Sequence, residues 1–168
     1  MKMASRVKLK PADRGNWLQM MRLELRDDQK RFVTPPGWAL GRAYVRSYGD
    51  RYEHLPMVIC DSEDTVIGYV ATVSDPGSAD DYWVDDIMID VSQQGHGYGR
   101  EAMEEVLRFL TGHYPLCRTV KLVCFRANTE AAALYKTMGF NLTGDVDSIF
   151  SEPIYALTGK GLEKYRTS

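Results

Sequence analysis

The segment from Asp90 to Arg100 reads DVSQQGHGYGR and connects a predicted strand to a predicted helix. Three glycines, Gly95, Gly97 and Gly99, fall within five of its residues. Glycine permits positive φ angles and lets a backbone approach a ligand closely. The segment ends at a helix N-terminus, where unpaired N–H groups and the helix dipole favour an anion. These features predict a site for a phosphate-bearing ligand; the alternative is a plain turn between strand and helix.

Two known phosphate-binding patterns match this loop poorly. A P-loop needs four residues between its glycines and then Gly-Lys-Ser/Thr, a pattern that is absent here. In the dinucleotide fingerprint G-x-G-x-x-G, Gly95 and Gly97 match, but the third glycine position holds Arg100. Pro115 stands where an acid for a ribose would be expected. The ligand must therefore be identified from the rest of the chain.

The predicted elements follow the order β-α-α-β-β-β-α-β-α-β-β, an α/β sandwich with a mixed sheet. A strand rich in aromatic and β-branched residues is predicted at Tyr82–Val91, and a helix with an apolar stripe from about Arg100 to His113. A further helix is predicted at Thr129–Met138. We expect one domain over residues 1–168, with the polar residues 159–168 frayed. The other predicted strands are Arg6–Lys10, Leu55–Asp61, Thr65–Val73, Thr119–Phe125, Phe140–Val146 and Ile149–Leu157.

The composition is that of an ordinary globular chain. Its 168 residues are 44% hydrophobic and 26% charged, and the net charge of −2 argues against a general nucleic-acid binder. No apolar run approaches the length of a membrane span, and the first residues lack the apolar region of a secretory signal, so we expect a cytoplasmic protein without a membrane partner. The cysteines, Cys60, Cys117 and Cys124, fit neither a disulfide scaffold nor a metal site.

Charge is distributed unevenly along the chain. Residues 52–99 contain ten acidic residues and no Lys or Arg, whereas the rest of the chain carries 21 basic and 13 acidic residues. This asymmetry is consistent with one face for a cationic ligand and another for an anionic one. A solvated acidic hairpin is the alternative.

Two motifs, taken in order, resemble the GNAT acetyltransferase superfamily. The first is Q-x-x-G-x-G over residues 94–99, after a strand that ends in an aspartate, which resembles the family's acetyl-CoA loop. The second is N-x-x-A-x-x-L-Y-x-x-x-G-F over residues 128–140. The resemblance covers about residues 82–146 and weakens toward Arg6. The acidic strand and the opening segment are most similar to bacterial spermidine/spermine (diamine) N-acetyltransferases.

This resemblance implies a fold and an activity. The expected fold is a mixed, mostly antiparallel central sheet of about seven strands with helices on both faces. The expected reaction moves acetyl from acetyl-CoA to a primary amine of a polyamine by direct attack in a ternary complex, without a metal. The implied partners are coenzyme A, a small-molecule amine and a second copy of the chain in a homodimer.

The resemblance also implies site residues. Asn128 would hold the pantetheine arm, although it could serve only as a helix N-cap. Tyr135 would protonate the leaving thiolate, although its helical spacing also fits a core residue. The pantetheine would pair with backbone at Ile87, Met88 and Ile89, which requires this strand and the next to splay apart. The diphosphate would lie on backbone N–H groups of Gln94, Gly95, His96, Gly97, Tyr98, Gly99 and Arg100.

An amine acceptor needs a base, because a free alkyl ammonium has a pKa near that of Lys. Asp85 and Asp86 are the candidates for deprotonation and acceptor binding; a strand-end pair of solvated acids is the alternative. Adjacent strand residues face opposite sides, so Asp85 and Asp86 can both reach one cleft only if the strand contains a bulge. The alternation of side chains does not show which of the two is the base.

Further carboxylates and aromatic rings are candidates for binding the acceptor's other ammonium groups. The aromatic residues could line the acceptor channel through cation–π contacts or could be core residues on a helix that we predict at Trp38–Tyr48. The carboxylate candidates are Glu53, Asp80 and Asp81, and the aromatic candidates are Trp38, Tyr44, Tyr48 and Tyr52.

Two alternative functions stay open on the sequence. The acceptor could be another cationic amine, namely an aminoglycoside, an amino acid or a protein N-terminus. The chain could also be a non-catalytic acyl-CoA-binding module.

Overall fold

A seven-stranded sheet organises the residues that the computed structural model describes, which are 5–46 and 51–166. The strand order is β1-β2-β3-β4-β5-β7-β6, and every neighbouring pair is antiparallel except the parallel pair β4–β5. This confirms the expected mixed, mostly antiparallel sheet. The strands are β1 Lys8–Pro11, β2 Glu53–Cys60, β3 Val66–Ser74, β4 Tyr82–Ile89, β5 Thr119–Val123, β6 Asn141–Val146 and β7 Pro153–Thr158.

Helices cover both faces of this sheet, as expected. Met20 and Ala39 pack with Tyr69 and Met88 in the core on one face. The stripe of the helix after the glycine loop, including Met103, is fully buried on the other face. None of the described helices is long and apolar enough to cross a membrane. The helices are α1 Trp17–Met21, α2 Pro36–Arg46, α3 Tyr98–His113, α4 Thr129–Met138 and α5 Gly159–Glu163, with short 3₁₀ turns at Lys30–Phe32 and Val91–Gln93.

Strand β4 contains a bulge at Asp85. Ala71 on β3 is opposite Asp86, whereas the next residue, Thr72, is opposite Val84, so Asp85 is the extra residue. A bulge of this kind bends a strand and changes which face its side chains occupy. Val84 accordingly packs on the α3 face and Met88 on the face covered by α1 and α2.

Strands β4 and β5 pair only where they begin. Tyr82 is opposite Val120 and Trp83 is opposite Lys121, and no register follows beyond them in the described strands. From Val84 onward the two parallel strands therefore splay apart. This is the separation that the resemblance required.

Several element boundaries differ from the sequence-based expectation. Residues 159–166 do not fray: Gly159–Glu163 is helical and Leu162 is fully buried, because its apolar side chain packs into the core on the α3 face. Helix α2 begins at Pro36, two residues before the predicted start at Trp38, since proline is tolerated in a first helical turn. Tyr48, the predicted end of that helix, lies outside the described residues.

Candidate functional site

A cavity of about 450 Å³ lies where β4 and β5 separate. One wall comes from the second half of β4, another from the glycine loop and the start of α3, and a third from α4. The predicted site residues that line it are Ile87, Met88, Ile89, Gln94, Gly95, Gly97, Tyr98, Gly99, Arg100, Asn128 and Tyr135. The structure thus brings together residues that are up to 48 positions apart in the sequence.

The glycine loop adopts the backbone that its sequence predicts. Gly95 and Gly97 have φ angles of +80° and +84°, in the left-handed region that favours glycine. Gly97 is the N-cap residue of α3 and supplies no side-chain cap. The N–H groups of the first turn of α3 therefore point out of the helix beside the cavity without a capping side chain, which suits an anionic group.

His96 departs from the pattern of its neighbours. It does not belong to the residues that line the cavity. Its carbonyl oxygen accepts a hydrogen bond from Arg6 Nη2 at 2.8 Å, and its ring Nδ1 lies 3.2 Å from the Gln93 carbonyl oxygen. Six of the seven residues from 94 to 100 therefore line the cavity, and His96 does not.

Gln94 holds the loop against the strand and against a covering segment. Its Nε2 donates to the Ile89 carbonyl oxygen at 3.0 Å and to Gln29 Oε1 at 2.9 Å. Its Oε1 accepts from Arg26 Nη1 at 3.0 Å. No sequence pattern predicts this covering segment, because residues 22–35 show no periodicity that relates them to the loop. Its members that line the cavity are Leu25, Gln29, Phe32 and Val33.

Basic side chains surround the loop. Arg100 lines the cavity and hydrogen-bonds the Thr137 hydroxyl. Arg26 forms an ion pair of 3.2 Å with Glu130, another residue of the cavity wall. Asp28 and Glu130 both pair with Arg26, whereas Arg100 has no ion pair within the described parts of the chain, so Arg100 places positive charge beside the uncapped helix N-terminus and favours a phosphate-bearing ligand.

Asn128 and Tyr135 both face the cavity from α4. Asn128 is the N-cap of this helix, and its Oδ1 accepts from the Ala131 N–H at 3.3 Å, so it combines a capping role with a position in the cavity wall. Tyr135 packs against Phe140 with ring centroids 5.8 Å apart. Its hydroxyl has no hydrogen-bond partner within the described parts of the chain, and burial raises its pKa.

Asp86 is a buried carboxylate next to Ile87 in β4; neither Asp85 nor Asp86 belongs to the residues that line the cavity. One oxygen accepts from the Thr34 N–H at 3.0 Å, and the other accepts from the Thr34 hydroxyl. Thr34 is itself held by the Tyr69 hydroxyl, which donates to its carbonyl oxygen. Burial, with a smaller contribution from Asp85, raises the pKa of Asp86 from 3.8 to about 6.

Asp85 and Asp86 meet at a single guanidinium. Arg42 Nη2 lies 2.6 Å from an Asp85 oxygen and 3.4 Å from an Asp86 oxygen. The bulge is what lets these neighbouring carboxylates reach one group, as the sequence analysis required. Arg42 and Thr34 were not among the predicted site residues, since no motif relates them to an aspartate pair more than 40 positions away.

The remaining acceptor candidates lie elsewhere. Glu53 accepts from the Tyr114 hydroxyl at 2.6 Å, and Asp81 accepts from the Tyr52 hydroxyl and from Trp83 Nε1, both at 2.7 Å. Hydrogen bonds within the fold therefore occupy these carboxylates. Candidates that lie exposed on the surface and not in the cavity wall are Asp80, Trp38 and Tyr44.

The exposure of these aromatic rings removes one alternative. Trp38 and Tyr44 on α2 are 71% and 75% exposed, so they are not core residues. The structure also does not bring them into the described cavity.

Solved structures share this fold at low sequence identity. Spermidine N-acetyltransferase from Vibrio cholerae, in complex with CoA and spermine, has a TM-score of 0.70 and 16% identity, with 96% of this chain and 99% of that chain covered. Aminoglycoside acetyltransferase AAC(6')-Ib, in complex with paromomycin and acetyl-CoA, has a TM-score of 0.73 and 17% identity, with 96% and 98% covered. At such identities the likeness shows the fold. No curated protein sequence matches this chain.

The family itself is shown by sequence. The family model described as acetyltransferase (GNAT) matches residues 17–140, which include the glycine loop, the bulged strand and helix α4. This match covers well over half of the 168 residues. The chain therefore belongs to the acetyltransferase (GNAT) family.

Proposed function

We propose that this protein is an N-acetyltransferase that moves acetyl from acetyl-CoA to a primary amine, and that the amine belongs to a polyamine such as spermidine or spermine. The observation that carries the proposal is the cavity between the splayed strands, with an uncapped helix N-terminus at one end. Family membership supports the reaction class. The two proteins of known structure named above are, by name, a spermidine acetyltransferase and an aminoglycoside acetyltransferase.

The residues of the cavity fit a coenzyme A thioester. The backbone of Gly97, Tyr98 and Gly99 would receive the diphosphate, with Arg100 adding positive charge. The side of β4 that β5 leaves unpaired beyond Trp83 would hydrogen-bond the pantetheine amides. When bound, acetyl-CoA supplies an acetyl group activated as a thioester.

Tyr135 is suited to act as the acid. Burial raises the pKa of its hydroxyl, so the hydroxyl carries its proton at neutral pH, as an acid must before the thiolate departs. The position of the hydroxyl in the cavity wall, without a partner in the described part of the fold, leaves it available to a ligand.

Asp86 is the better of the two candidate bases. A carboxylate with a pKa of about 6 takes a proton near neutral pH more readily than one with an ordinary value. Asp86 would accept the proton of the attacking ammonium directly or through water. Asp85, which is more exposed and paired with Arg42, would then contribute negative charge to acceptor binding.

A thiol-release assay with a panel of amines tests the proposal. Spermidine, spermine, putrescine, an aminoglycoside, free amino acids and a peptide with a free N-terminus would each be combined with saturating acetyl-CoA. We expect the highest kcat/KM with a polyamine. Turnover confined to the aminoglycoside or the peptide would contradict the polyamine part, and absence of turnover with every amine would contradict the enzyme. We also propose a homodimer, which light scattering would test.

A further inference from the structure

The acid pair of the acceptor site is already occupied by a cation of the protein itself. Arg42 Nη2 contacts Asp85 at 2.6 Å and Asp86 at 3.4 Å, and in the described parts of the chain these are its only ion pairs. The guanidinium is planar, permanently charged and suited to carboxylates. One positive charge therefore already lies against the two acids that the sequence offers as a free anionic site.

The Asp86 carboxylate does not depend on Arg42 for its position, whereas for Asp85 the bulge places only the backbone. Thr34 binds both oxygens of Asp86 through its N–H and its hydroxyl. Arg42 can leave the pair more easily than the carboxylates can, because it reaches them by a long side chain that is 32% exposed. Removal of Arg42 from the pair would leave a preformed site with uncompensated negative charge.

A second cation cannot simply be added beside the guanidinium. The small cavity bounded by Arg42, Ala43, Leu55 and Asp85 has a volume of about 10 Å³. This is about the space of one water molecule, whereas an ammonium on a carbon chain needs more. A cationic group that takes the side of Asp85 now held by Arg42 must therefore displace Arg42.

Building on the proposed function, we propose that Arg42 is a specificity-determining residue that competes with the acceptor's non-reacting ammonium group for Asp85. The reacting nitrogen must become neutral to attack, so it cannot replace the charge of Arg42. A diamine or polyamine keeps a second ammonium that can. Arg42 thereby raises the KM of multiply charged acceptors and affects singly charged amines less.

Binding of an unreactive dication tests the competition without any turnover. The probe is N,N,N′,N′-tetramethyl-1,4-diaminobutane, whose tertiary nitrogens have no hydrogen to exchange for acetyl. Calorimetry would measure its Kd for the CoA-bound protein. We expect Arg42→Gln to lower this Kd roughly tenfold, because the competing charge is gone. The matched control is Arg22→Gln, which removes an exposed positive charge at the end of α1; its Kd should change less than about twofold.

Kinetics would then give a second readout. Arg42→Gln should lower the KM of putrescine, and should change the KM of propylamine less. An unchanged or higher Kd for the dication in Arg42→Gln would overturn the proposal, because Arg42 would then be structural or would itself bind the acceptor.

The outcome also separates this proposal from the proposed function. If the wild-type protein acetylates no amine while Arg42→Gln binds the dication more tightly, the proposed function fails and the competition stands. If Arg42→Gln does not fold, Arg42→Met decides: it removes the charge and keeps an unbranched apolar stem, so the Kd should fall as expected for Arg42→Gln, and an unchanged Kd would reject the competition.

Discussion

Replacing Asp86 with asparagine should make the protein more stable and less active. The pKa of Asp86 rises from 3.8 to about 6, so the folded state holds this proton more strongly than the unfolded state does. The free energy of unfolding is therefore highest below about pH 4, falls as the pH rises toward about 6, and is lowest above it. At about 1.4 kcal/mol for each tenfold change in acidity, the ionised carboxylate costs about 3 kcal/mol at neutral pH.

An uncharged amide at position 86 avoids this cost. Its oxygen can still accept from the Thr34 N–H, while the contacts with the Thr34 hydroxyl and Arg42 weaken, a loss of about 1 kcal/mol. We therefore expect Asp86→Asn to be about 2 kcal/mol more stable at neutral pH, which for a chain of this size raises Tm by about 4–8 °C.

Activity should change in the opposite direction. If Asp86 is the base, wild-type kcat/KM rises with pH to a plateau above about 6. Asp86→Asn should lose this dependence and about a hundredfold or more of its rate. Urea unfolding across the pH range and the thiol-release assay measure the two effects.

A matched control keeps the interpretation specific. Asp64→Asn removes an exposed carboxylate at a hairpin turn, where the φ of 65° also suits asparagine, and should leave the rate unchanged. Retained activity in Asp86→Asn, or reduced stability with the wild-type dependence on pH, would refute the reasoning.

Further outcomes follow from individual contacts. Tyr135→Phe should lower kcat in the thiol-release assay with little change in affinity for acetyl-CoA, and an unchanged kcat would reject its role as acid. Gly68→Ala should destabilise the fold by more than about 2 kcal/mol in urea unfolding, since its Cβ would lie 2.3 Å from the Met88 carbonyl oxygen, whereas Gly41→Ala, which meets nothing within 4 Å in helix α2, should stabilise it by about 0.5–1 kcal/mol. Leu162→Ala should cost about 2–5 kcal/mol because the side chain is fully buried; a negligible loss would mean that α5 is not part of the core.

Local patterns were enough to predict the frame of the site. The glycine spacing predicts the left-handed backbone at Gly95 and Gly97, because other residues rarely adopt it. The apolar stripe of α3 predicts which helix face is buried. Periodicity gives no guide to short ordered segments: α5 is only five residues long, and its burial depends on the single apolar residue Leu162.

The chemistry of the acceptor end depended on tertiary contacts. Two adjacent aspartates in a strand do not predict a bulge. The bulge at Asp85 follows from how β4 pairs with β3. The Thr34 and Arg42 contacts with Asp86 join residues 52 and 44 positions apart, so no spacing rule reveals them. Trp38 lies in a helix at a spacing that also fits a core residue, yet it is exposed, so helical spacing of apolar residues does not ensure that they are buried.

A crystal structure of the complex with coenzyme A tests the central claim most directly. The account predicts that the diphosphate accepts hydrogen bonds from the backbone N–H groups between Gly95 and Arg100, with the pantetheine lying along the splayed half of β4. A diphosphate held elsewhere on the protein, with this loop left uncontacted, would contradict it.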